Sequence, residues 1–293
     1  MTAAPATIPL PASEAPATSY QPPVRARLSR LVLPVYTALA VAYLFLPIAV
    51  MIAFSFNNPR GRQNITWQGF TLQNYLDVWS RPDITNPMLQ SLIVAVVSTI
   101  IATVLGTLIG LALTRYRFVG RNTTNILIFL PMATPEIIMG ASLLSLWVSL
   151  GISRSLVTII IAHVMFNISY VVVTVRARLQ GFDRGLEEAA MDLGADEWAT
   201  FRKVTFPLIF PGILAAGLLA FALSIDDYVI TSFVAGKTIT FPLWVYGVSR
   251  LGVPPEVNVL GTLIFVVAFL AIAAQVLWQR RQARRQLLPS RVP

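Results

Sequence analysis

Residues 187–211 read EEAAMDLGADEWATFRKVTFPLIFP, the most polar long run in a chain that is otherwise apolar. Of the 293 residues, 56% are hydrophobic and 12% are charged, about half the charge expected of a soluble domain. Lipid is therefore the main solvent. Six apolar runs lie near residues 31–56, 88–114, 124–150, 155–175, 208–235 and 257–279. Each reaches the roughly 20 residues that cross about 30 Å of hydrocarbon as a helix. The quoted run links the fourth of them to the fifth.

The first run is too long for the apolar core of a signal peptide, and Pro47 sits well inside it, so it reads as a retained helix. Basic residues set the orientation. With the N-terminus inside, 16 Lys and Arg fall on inner segments and 6 on outer ones, which predicts that both termini are cytoplasmic. The net charge of +9 is first a topology signal, since no soluble segment is long enough to fold into a basic nucleic-acid-binding domain. There are no cysteines, which excludes disulfides and thiolate metal sites. No metal site and no catalytic residue is expected. His163, the only histidine, falls mid-span and is expected to be packed and hydrogen-bonded.

Residues 1–23 are rich in Pro, Ala, Ser and Thr and hold too little apolar surface to bury a core. The expected organisation is a disordered cytoplasmic tail (1–30), a six-helix transmembrane domain (31–279) and a basic cytoplasmic tail (280–293). Within the outer loop 57–87, FTLQNYLDVW places Phe70, Leu72, Tyr75, Leu76 and Trp79 on a short amphipathic helix with aromatic anchors. Gly106 and Gly110, four apart, make a flat stripe for close helix approach.

In the polar run, Phe182, Leu186, Ala189 and Leu193 form one apolar helix face, with Asp183, Glu187, Glu188 and Asp192 mostly elsewhere. Gly194 is placed to end that helix, because glycine takes left-handed backbone angles without penalty. Asp196 is placed to cap a second short helix carrying Trp198, Phe201 and Val204. Pro207 ends that segment or opens the next. Two short helices at an angle are expected between spans four and five. An interfacial helix usually carries Lys and Arg on its polar face; this one is acidic, which suits a protein groove better than anionic lipid.

Glu188, Ala189, Ala190, then Gly194, then Val204, Phe206 and Pro207 fit E-A-A-x3-G-x9-[IV]-x-[LF]-P. The chain thereby resembles the permeases of bacterial ABC importers, whose EAA loop docks in a cleft of a cytoplasmic ATPase. LPMATPEIIMG at 130–140, LSIDDYVITSFVAG at 223–236 and TFPLWVYGVSRLGVPPEVN at 240–258 resemble the spermidine/putrescine group, PotC-like. The resemblance covers about residues 30–285. It implies an all-α, six-span permease of the type I ABC importer fold in the bacterial inner membrane. The implied partners are a second permease chain, two ATPase subunits and an extracytoplasmic polyamine-binding protein. It also implies that Glu188, Ala189, Ala190, Gly194, Trp198, Phe201 and Pro207, within the loop 182–207, couple to the ATPase. No cofactor is expected on this chain; ATP and Mg serve the partner ATPase.

A polyamine strings ammonium groups on methylenes, so its path should alternate carboxylates with aromatic or apolar walls. Glu136, about 12 residues into the third span, and Asp226 and Asp227, near the outer part of the fifth, are the candidate acceptors, because ionisable groups at such depth usually face a cavity or a partner. Tyr170, Tyr228, Phe233 and Trp244 are candidate walls. A structural role stands beside this for the Asp pair, which could bond helix ends or Arg250. GKT at 236–238 matches the end of a P-loop, but Thr231 replaces its first glycine, so ATPase activity in this chain is not expected. The alternatives are import of another small organic solute, or an ion-coupled carrier. Pro131 and Pro135 against Pro207 and Pro211 hint at the repeated broken helices of such carriers.

Overall fold

The computed structural model describes residues 24–287 apart from Arg62. The expected tail over residues 1–23, and residues 288–293, lie outside the described residues. The chain divides into two units, residues 1–51 and 52–293. Helix α1 (Val24–Ser55), with Pro34 and Pro47 inside it, makes up the described part of the first. It starts at Val24, so residues 24–30, expected as tail, are helical. Its stretch Val32–Ser55 is apolar enough to cross a membrane.

In the second unit the chain first crosses a loop organised by Asn57. The Asn57 amide donates to Asn64 Oδ1 (2.6 Å) and to the Thr66 carbonyl (2.8 Å), and its Oδ1 accepts from the Gln68 N–H (2.7 Å). Helix α2 (Gln73–Asp77) follows, held by the Tyr75 hydroxyl on Ser55 Oγ at 2.7 Å. Phe70, Leu72, Leu76 and Trp79 are left exposed; of the five residues expected on one amphipathic helix, only Tyr75 and Leu76 lie on α2.

Helix α3 (Pro82–Arg115) is the second span. The expected third span is two helices, α4 (Arg121–Ala133) and α5 (Glu136–Ser149), bent by 108°. The break lies at Thr134 and Pro135, where Thr134 is extended (ψ 129°), because a following proline ring disfavours helical geometry. Helix α6 (Leu156–Gln180) is the fourth span, opened by a Ser155/Thr158 capping box. After α7 (Gly185–Asp192) and α8 (Glu197–Thr200), α9 (Phe206–Ile225) is the fifth. Two short helices, α10 (Val229–Val234) and α11 (Phe241–Ser249), precede α12 (Pro255–Leu287). Residues 280–287, expected as tail, continue that last helix. Five helices can cross a membrane singly, and the bent pair makes a sixth span. No strand occurs among the described residues.

Helices α3, α6 and α9 form the centre of this unit. In lipid the hydrophobic effect does not drive helices together, so close fit and dispersion must. The glycine stripe supplies the fit. A Cβ on Gly106 would lie 2.6 Å from Val171 Cγ1, and one on Gly110 would lie 3.4 Å from Val175 Cγ1. Val171 and Val175 on α6 join Ile209, Ala216 and Ala220 on α9 in one buried cluster. A second cluster gathers Met139, Leu143 and Trp147 of α5, Ile159 and Phe166 of α6, and Ile230 and Val234 of α10.

Candidate functional site

Two polar interruptions of the apolar chain carry the candidate residues. The first lies between α6 and α9. The expected helix from Phe182 begins instead at Gly185, where the Asp183 carboxylate accepts the Gly185 N–H at 2.9 Å. Phe182 itself packs against the buried Val175 and Ile209 cluster. Helix α7 ends at Gly194, whose φ of +86° lies in the left-handed region that only glycine enters cheaply. Asp196 then caps α8, accepting the Ala199 N–H at 2.6 Å.

The second loop helix is not free-standing. Residues Phe201–Thr205 form a single π-turn and α9 follows at once, so Glu197–Ile225 is one 29-residue helix. Pro207 lies in the first turn of α9 without breaking it. A proline has no N–H to give, and the wider π-turn before it absorbs the missing bond. Of the two expectations for Pro207, the second holds: it stands in the opening turn of α9 and does not end the helix before it, and only α7 stands apart.

The two adjacent glutamates part company. Glu187 is held inside: Arg115 at the end of α3 and the Thr205 hydroxyl both donate to its Oε1. Arg184 adds a bond to the Thr114 carbonyl (3.2 Å). Glu188 is exposed and, among the described residues, has no ion-pair partner. Ala189 is exposed and Ala190 half-buried. Leu186, Met191, Leu193 and Trp198 are exposed, Leu193 by 90%. Trp198 stacks on Phe201 at 5.8 Å, and the aromatic series continues through Phe206 and Phe210. The loop thus presents apolar side chains and free carboxylates together.

The second interruption follows α9. The span ends at Ile225, so Asp226 and Asp227, expected inside the fifth span, sit in a break before α10. Asp227 is buried and satisfied: it accepts the Thr231 N–H (2.8 Å), the Thr231 hydroxyl (2.7 Å) and the Ile230 N–H (3.3 Å), and lies 3.3 Å from His163 Nε2. His163 Nδ1 meets Ser224 Oγ at 2.6 Å, and Ser224 reaches Ser98 at 3.0 Å. Four elements are latched by this chain. The Ser–His–Asp order imitates a hydrolase, but Ser224 is 4% exposed and its hydroxyl is shared between His163 and Ser98, which leaves no room for a reacting carbonyl beside it.

Asp226 is exposed. It lines a cavity of about 420 Å³ with Ile225, Tyr228, Phe241 and Tyr246. Tyr228 packs on Tyr246 at 4.6 Å, and the Arg250 guanidinium lies 4.8 Å from the Tyr246 ring centre and donates to its hydroxyl. Glu136 is not buried in a span; it is exposed in the first turn of α5, just past the 108° bend. Tyr170 packs on Phe166 at 4.9 Å. Phe233 lies under α5, where a Cβ on Gly140 would come within 2.5 Å of its ring. Trp244 stacks on Phe241 at 6.0 Å. Tyr228 therefore shares a cavity with Asp226; Trp244 lines a different one, with Arg81, Asp83 and Glu256, and Tyr170 and Phe233 pack against the cluster of α5, α6 and α10.

Sequence reading missed Arg115, Ser98 and Ser224 as partners. Their mates lie 72, 126 and 61 residues away, beyond any local pattern; Thr231 was missed although Asp227 is only four residues from it.

The family model described as binding-protein-dependent transport system inner membrane component matches residues 102–287. The spermidine/putrescine transport system permease protein PotC of Escherichia coli is 38% identical over 244 residues, 83% of this chain and 92% of that one. The putrescine transport system permease protein PotI of Escherichia coli is 36% identical over 256 residues, covering 84% and 90%. Among solved structures, a bacterial ABC transporter involved in the import of the polysaccharide alginate matches with a TM-score of 0.63 at 17% identity, over 89% of this chain and 99% of that one. An amino acid ABC transporter matches with a TM-score of 0.56 at 20% identity, over 72% and 100%. The fold is that of the type I ABC importer permeases.

Proposed function

The chain belongs to the binding-protein-dependent transport system inner membrane component family, and from that premise we propose that it is the permease subunit of an ATP-driven polyamine importer of the bacterial inner membrane. The observation that carries the substrate class is the likeness to spermidine/putrescine and putrescine permeases along more than four-fifths of the chain. Supporting it, an exposed carboxylate and two tyrosines share one cavity, the chemistry an alkylammonium needs.

The chain works as one half of a heterodimeric pore, with both termini cytoplasmic. Two copies of a separate ATPase bind and hydrolyse ATP with Mg, and an extracytoplasmic binding protein delivers the polyamine. The loop seats in the ATPase through Glu188 on α7, Leu193 at its end and Trp198 on α8. Because Glu187 joins α7 to α3 through Arg115 and to the α9 helix through Thr205, a displacement of the ATPase reaches two spans at once. ATP binding draws the two loops together and turns the pore outward, and hydrolysis resets it. Asp226 and Glu136 offer carboxylates to the passing ammonium groups.

The test is the purified four-component complex in liposomes, assayed for polyamine uptake and for stimulation of ATP hydrolysis by the loaded binding protein. Uptake of spermidine or putrescine that requires ATP is the expected result. Stimulation by a different organic solute alone sinks the substrate class and leaves the importer reading standing. Uptake that persists without the ATPase favours an ion-coupled carrier.

A further inference from the structure

We propose that the cavity around Glu256 is a second seat for an ammonium group, met by the polyamine before it reaches Asp226. The inference rests on the polyamine reading and adds a site to it. The cavity measures about 400 Å³, and Asn74, Arg81, Asp83, Trp244, Leu251 and Glu256 are among the residues that line it. Its walls come from the loop before α3, the first turn of α3, and the stretch from α11 to the first turn of α12. The proposed topology makes that side extracytoplasmic. Helix α11 separates the two cavities: Trp244 and Val248 line this one from one face, and Tyr246 and Ser249 line the Asp226 cavity from the other.

One guanidinium here meets two carboxylates. Arg81 donates to Asp83 through Nε (3.4 Å) and Nη2 (2.9 Å), and to Glu256 Oε1 through Nη1, so its charge is already shared between two partners. Glu256 is only 8% exposed, and its other oxygen, Oε2, is buried with no donor among the described residues. A buried carboxylate oxygen left without a donor is costly. An ion pair that merely fastened α12 to α3 would not need that oxygen open; a cation with N–H bonds to give would. Asn74 adds a neutral acceptor, since its amide nitrogen is committed to the Ser55 and Asn57 carbonyls (3.0 and 2.8 Å), which leaves Oδ1 as the free end. The Trp244 indole supplies an aromatic face, the best of its kind for an ammonium and the methylenes behind it. A primary ammonium carries three N–H donors on a compact charge. Glu256 Oε2, Asp83 and Asn74 Oδ1 are acceptors of the matching kind in one cavity.

The chain has no cysteine, so Leu251→Cys, at an exposed residue that lines this cavity, gives a reporter for this seat alone. The complete complex in lipid nanodiscs, without the binding protein, is treated with a neutral maleimide, and labelling of this chain is followed as spermidine is added. Spermidine should protect the cysteine. Glu256→Gln, which keeps an oxygen for Arg81 and loses the charge, should raise the half-protecting concentration about tenfold; Asp83→Asn, more exposed, should raise it about two- to threefold. No protection in a complex that transports spermidine overturns the proposal, and so does protection unchanged by Glu256→Gln, which reduces the Arg81 pair to a fastening. Equal protection by magnesium at the same concentration also overturns it, because the cavity would then gather any counter-ion. If Glu256→Gln does not assemble, Asp83→Asn decides alone: weaker protection supports the seat, and unchanged protection rejects it. A complex that transports another solute and neither spermidine nor putrescine defeats the polyamine reading instead, a result distinct from all of these.

Discussion

The loop at residues 181–205 and the break at residues 226–250 both interrupt a run of apolar helix, and they do so in opposite ways. In the loop, a glycine at φ +86° turns the chain and most carboxylates face outward. In the break, Asp227 turns inward and is satisfied by Thr231, Ile230 and His163. One interruption turns most of its carboxylates outward; the other turns Asp227 onto its own chain and leaves Asp226 exposed. Charge content alone does not separate them; what separates them is where each carboxylate finds its donors.

The strongest attack on this contrast is at Asp227. Asp227→Ala leaves the Thr231 and Ile230 N–H groups without their acceptor while His163 keeps Ser224 and Thr231, a loss of about 1–3 kcal/mol, and thermal denaturation of the purified complex should reveal it. Asp227→Asn keeps part of the cap and should lose less. A purely path-lining Asp227 would lose transport in Asp227→Asn with assembly intact; its bonds to Thr231 and Ile230 put the loss in stability first. A variant that assembles and melts normally but fails to transport would return Asp227 to the path.

Gly194 gives the next largest effect. A β-branched side chain in the left-handed region costs about 1–2 kcal/mol or somewhat more, although nothing lies within 4 Å to clash with it. Gly194→Val should therefore misdirect α7, lowering uptake about tenfold while membrane insertion stays normal. Full uptake with normal ATP coupling, or failure of the chain to accumulate, contradicts the assignment of Gly194 as a bend for docking.

The adjacent glutamates allow a crossed test. Glu187→Ala frees a largely buried Arg115 and should destabilise the fold by about 1–3 kcal/mol, read as a lower melting point. Glu188→Ala should leave the melting point unchanged, within about 0.5 kcal/mol, and weaken co-purification of the ATPase more than Glu187→Ala does. Equal effects on both readouts would erase the distinction between an inward and an outward carboxylate. Glu136→Gln should also change stability little. This exposed group in the first turn of α5 should lose only the few tenths of a kcal/mol of its helix-end charge, about 0.3–1, and its effect should appear in polyamine uptake.

The six spans were legible because hydropathy is a local property, and so was the glycine turn, because the left-handed angle selects one residue type. The 108° bend was not, since residues 124–150 stay apolar through it and a window of hydropathy carries no direction; Thr134 and Pro135 were its only marks. The same blindness folded residues 226–235 into the fifth span. His163 was correctly expected to be packed and bonded, but its partners come from three other elements and no periodicity names them. That α8 runs on into α9 was not legible, because the π-turn joining them leaves no signature in sequence.

That unbroken helix has a mechanical consequence. At 1.5 Å per residue, Glu197–Ile225 spans about 43 Å, and it is gripped near both tips, by Glu187 on Thr205 and by His163 and Ser98 on Ser224. Between them Arg178 braces it, donating to the Leu208 carbonyl at 3.1 Å with its Cγ pressed where a Gly212 Cβ would stand. A tilt imposed at Thr205 would have to travel through the turns of α9 that hold Pro211, and the hydroxyl of Ser224 is the bond it would strain at the far end.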